Sequence, residues 1–112
     1  MIALTDDMEL GLKNFGAERI AITVRAEEDF WAEFYFSGSL YRVNVENSER
    51  WYQYFVTLRR GQMQSEWHRP VYRLAVIHTA NVPMRDGAKA IIGSILPVIN
   101  PELAANLTLL DE

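Results

Sequence analysis

No cysteine occurs in the 112 residues, which excludes a disulfide framework, a thiol nucleophile and Cys-ligated zinc or iron–sulfur centres. That absence suits the cytosol. Histidine is almost as scarce, with only His68 and His78, ten residues apart. No His-x-x-x-His or His-x-Glu spacing surrounds them, so ligand geometry argues against a metal site, and no metal or cofactor is expected. His78 with Arg85 or Asp86 leaves a ligand pocket or small active site as a third-ranked reading. Also missing are a Gly-x-Ser-x-Gly elbow, a Walker loop and a Gly-x-Gly-x-x-Gly fingerprint. The longest apolar stretch, Ala88–Ile99, is interrupted by Lys89, Gly93, Ser94 and Pro97, whereas a bilayer span needs about 18 apolar residues. Met1–Asp7 has neither the basic region nor the apolar core of a signal peptide. A cytoplasmic chain without membrane contact is the expectation.

What is present is ordinary in bulk and uneven in detail. The apolar share is 49% and the charged share 23%, which is the composition of a globular chain. Its length suits one domain, residues 1–112. Aromatics are plentiful, with three Trp, five Tyr and five Phe. The net charge of −4 hides a polarity: residues 1–33 sum to −5, residues 34–85 to +4, and residues 86–112 to −3. Nine of the eleven basic residues are Arg, which grips planar anions and stacks on aromatics better than Lys.

Periodicity predicts a first helix over about 6–15, with Thr5 as N-cap, Asp6 and Asp7 at the positive end of the dipole, and Gly16 as left-handed C-cap. Met8, Leu12 and Phe15 share its apolar face. Three strands follow with period-two alternation: Ile20/Ile22/Val24, then Phe30/Ala32/Phe34/Phe36 against Trp31/Glu33/Tyr35, then Tyr41/Val43/Val45 against Leu40/Arg42/Asn44. Ala26–Asp29 and Ser37-Gly38-Ser39 make the turns. Asn47 or Ser48 then caps a predicted second helix over 49–62, since Trp51, Tyr54, Phe55, Leu58 and Gln62 recur at helical spacing. Tyr52 and Val56 add a second apolar strip to it, a pattern of burial on more than one side. Gln64–Pro70 reads as a loop carrying Trp67 and His68, and Val71–Thr79 as a fourth strand. A helix over 84–96 ends or kinks at Pro97, with close packing expected at Gly93-Ser94. Asn100-Pro101 opens a last short helix presenting Leu103, Leu107 and Leu110. The expected fold is α+β in the order αβββαβαα: a three-strand meander plus one later strand, a four-stranded mainly antiparallel sheet covered by helices.

In that arrangement Trp31, Tyr35, Arg25, Arg42, Thr23 and Asn44 occupy the sheet face away from the helices. Such a face suits a protein interface, where Trp, Tyr and Arg are enriched anchors. It also suits single-stranded nucleic acid, with bases on aromatics and phosphate on Arg, or unpartnered cross-strand pairing. The negative net charge ranks nucleic acid below protein, and surplus apolar surface favours protein docking. The sequence therefore points to a non-catalytic regulator, inhibitor or adaptor that occludes a partner protein, as a homodimer. The candidate contact residues are Trp31, Tyr35, Arg42, Trp51, Tyr52, Arg59, Arg60 and Trp67, each of which could instead serve intramolecular packing.

Overall fold

The structure, a computed structural model, describes residues 4–26, 29–48, 52–66 and 69–102, with the backbone alone described at 63–66 and 69–72. Its order is α1 (Leu4–Asn14), β1 (Glu18–Ala26), β2 (Asp29–Phe36), β3 (Ser39–Ser48), β4 (Gln53–Glu66), β5 (Arg69–Pro83), a 3-10 turn (Met84–Asp86) and α2 (Gly87–Ile99). The class is α+β, and all five strands form one antiparallel sheet in the order β1-β2-β3-β4-β5.

The predicted meander is present and continues for two more strands. Ser37 and Gly38 turn β2 into β3 with φ of 49° and 79°, both positive, as a two-residue hairpin loop twisted to match its strands requires. Helix α1 closes as expected: Ala17 N–H donates to Leu12 O at 3.0 Å, with Gly16 at φ 101°. It begins at Leu4 rather than after Thr5.

The predicted helix over 49–62 is a strand. Asn47 and Ser48, read as its caps, pair with Tyr54 and Gln53. Tyr54, Val56 and Leu58 are buried, while Phe55 is exposed and Arg59 partly so. That is the burial pattern of a pleated strand. Both parities carry apolar or aromatic residues, so helical spacing at 51, 54, 55 and 58 arose by coincidence. Its Tyr, Phe, Val and Thr content suits strands better than helices. The apolar strip on two sides of a helix, which had favoured an interface there, disappears with the helix.

The predicted loop over 64–70 is also hairpin: Gln64, Ser65 and Glu66 pair with Val71, Pro70 and Arg69. The sheet therefore has five strands, not four. Pairing of β4 with β5 runs past Arg60, the last β4 residue registered against β3. A two-stranded arm projects beyond the sheet, about 20 Å at 3.3 Å per residue. The Cα radius of gyration of 14.7 Å exceeds the roughly 13 Å expected for a compact chain of this length, in keeping with that arm.

Both helices lie on one face. Met8 and Leu12 of α1, and Ala88, Ile91, Ile95 and Ile99 of α2, close over Phe30, Ala32, Phe34, Tyr41, Val43, Val45, Tyr54, Val56, Leu58 and Val82. Phe34 stacks on Tyr41 at 5.6 Å and meets the edge of Phe15 at 6.1 Å, distances typical of favourable aromatic pairs. The helices touch at Gly11, where an added Cβ would stand 2.0 Å from Ile92 Cδ1. Close packing thus falls at Gly11 and not at Gly93, which has open space around it. Ser94 Oγ donates to Ile91 O at 2.7 Å. Pro97 sits inside α2, which runs on to Ile99, so of the two outcomes expected there it does not end the helix. Of the predicted last helix, Pro101 and Glu102 are helical, and Leu103, Leu107 and Leu110 lie outside the described residues.

Candidate docking face

Strand alternation places every second residue on the face opposite the helices, and no described element covers that face. The register arranges these side chains in transverse rows. One row runs Ala21, Glu33, Arg42, Arg59, Val76 across the five strands. The next runs Thr23, Trp31, Asn44, Thr57, Thr79. A third holds Glu46, Phe55 and Asn81, with Asp29 at the matching end of β2, one residue before Phe30. On the other side of the Arg row, Tyr35 pairs with Leu40 and Gly61 with Leu74.

The Arg row is electrostatically unusual. Arg42 and Arg59 stand directly opposite each other, and like charges in that position repel. Arg42 Nη2 donates to Glu33 Oε1 at 2.6 Å, with both side chains about one-third exposed. The guanidinium also lies 5.8 Å from the Trp31 ring centroid, within cation–π range. Arg42 Nε is buried with no hydrogen-bond partner. Among the described residues Arg59 Nη1 donates only to a neutral acceptor, Asn44 Oδ1, at 2.7 Å. The row thus holds two guanidinium groups and one carboxylate, which Arg42 alone engages among the described residues, and it sums to a net charge of +1. One row beyond Trp31, Asp29 and Glu46 give the opposite sign, with exposed Arg25 at the β1 bulge beside Asp29. The face is polarised along the strands, with Trp31, Asn44 and a buried Thr57 between the two signs.

Apolar surface completes it. Phe55 is 39% exposed and Val76 53%. A β-bulge between Leu58 and Arg59 makes Ile77 the extra residue of β5, and it is 39% exposed.

Of the expected contact residues, the structure brings together Trp31, Tyr35, Arg42 and Arg59. Tyr35 is 38% exposed, with Arg19 5.6 Å from its ring centroid. Arg60 belongs to the helix-side parity. It donates to Ser39 Oγ at 3.1 Å, lies 5.9 Å from the Tyr41 centroid, and lines a cleft beside the end of α2. Tyr52 is exposed at the β3–β4 turn, with φ 52°, away from the rows. Trp51 and Trp67 lie outside the described residues. Phe55, Val76 and Ile77 were missed. The alternation of Phe55, Thr57 and Arg59 against Tyr54, Val56 and Leu58 was the signal that could have revealed Phe55.

The two clefts that the described residues line do not bring His78 together with Arg85 or Asp86. A groove of about 640 Å³ between α1 and α2 is lined by Asp7, Leu10, Arg85, Asp86 and Lys89, among others. His78 lines neither that groove nor the cleft at the end of α2. It is registered against buried Leu58 on β5, with Nε2 buried and without a hydrogen-bond partner. No group of three or more His, Asp or Glu residues suited to a metal ion occurs among the described residues. No described helix is long and apolar enough to cross a membrane.

No protein-family model, curated protein or solved structure matches the chain.

Proposed function

We propose that this chain is a non-catalytic docking module that binds a protein surface on the open face of its sheet and thereby occludes that surface. The observation that supports this reading is the one-sided cover of a five-stranded sheet, whose bare face carries Trp31, Tyr35, Phe55, Val76, Arg42 and Arg59. Exposed aromatic and aliphatic side chains supply area for burial, and Trp, Tyr and Arg are the residue types enriched at interface anchors. Regulation, inhibition or adaptation is the kind of task that such occlusion performs. The same Arg and aromatic groups would suit single-stranded nucleic acid. Asp29 and Glu46 on that face, with a net charge of −4, oppose a phosphate backbone and favour protein.

Site-specific photo-crosslinking in cells producing the full chain tests this. A photoreactive residue at Phe55 or Ile77 is expected to form protein adducts, while one at Leu10 or Val98 on the helices forms few. Adducts confined to the helix positions, or nucleic acid captured at Phe55, overturn the proposal.

A further inference from the structure

We draw no further inference here: the strongest candidate, the open sheet face that carries Trp31, Arg42, Phe55, Arg59 and Val76, belongs to the docking site already described, and nothing in the structure shows what covers it.

Discussion

The two faces of β2 each carry two aromatic side chains flanking a smaller residue and use them differently. On one face Phe30, Ala32 and Phe34 are fully buried under α1 and α2; on the other, Trp31, Glu33 and Tyr35 remain partly exposed and are tied sideways to Arg42 and Arg19. The covered face gains its stability by taking apolar area out of water. The open face holds itself by cross-strand ion pairs and ring contacts, each worth a few tenths of a kcal/mol to about 1. Aromatic content alone does not distinguish a core from a contact surface. What distinguishes them is whether the neighbouring groups are apolar helices or charged strand partners.

Truncations on the two faces should therefore differ most. Phe34→Ala removes a buried ring from between Phe15 and Tyr41 and is expected to cost about 3–5 kcal/mol in urea unfolding. For a domain of this size that is a large part of its total stability. A loss below about 1 kcal/mol would mean that the helix-side core is looser than its burial indicates.

A backbone change between the faces comes next. Gly38 has φ 79° and open space around it, so Gly38→Ala meets no steric obstacle except its own conformation. About 1–2 kcal/mol of destabilisation is expected from the left-handed backbone alone. A neutral result would show that the β2–β3 turn relaxes without cost.

On the open face Arg42→Ala loses the Glu33 ion pair and the Trp31 contact. About 1 kcal/mol is expected for such a partly exposed pair together with its ring contact. A loss as large as that of Phe34→Ala would erase the contrast between the faces.

Smallest of all, Val76→Thr should shift the unfolding free energy by less than about 0.5 kcal/mol. The same change is expected to lower the yield of protein adducts from a photoreactive residue at Phe55. A substitution that is silent in unfolding but not in crosslinking would separate stability from docking on a single residue.

The three-strand meander, the type of its turn at Ser37-Gly38, the C-cap at Gly16 and the apolar faces of α1 and α2 were legible in the chain. Each depends on residues within a few positions of one another. Trp31, Tyr35 and Arg42 were placed on the open face by the same local alternation. Residues 49–62 were not legible, because apolar residues on both parities satisfy helical and strand periods together. Only pairing of Tyr54, Val56 and Leu58 with β3 and β5 decides between them. The same failure concealed Phe55, and no feature of the sequence marked the bulge that exposes Ile77.

By itself, then, the sequence determined the class of fold, the meander, and which side of its strands is apolar, since these follow from side-chain periodicity along a short stretch. The tertiary structure alone decided the fifth strand, the opposition of Arg42 to Arg59, and the separation of basic from acidic rows. Those features depend on register between segments far apart in sequence, where a shift of one residue would turn every side chain to the other face.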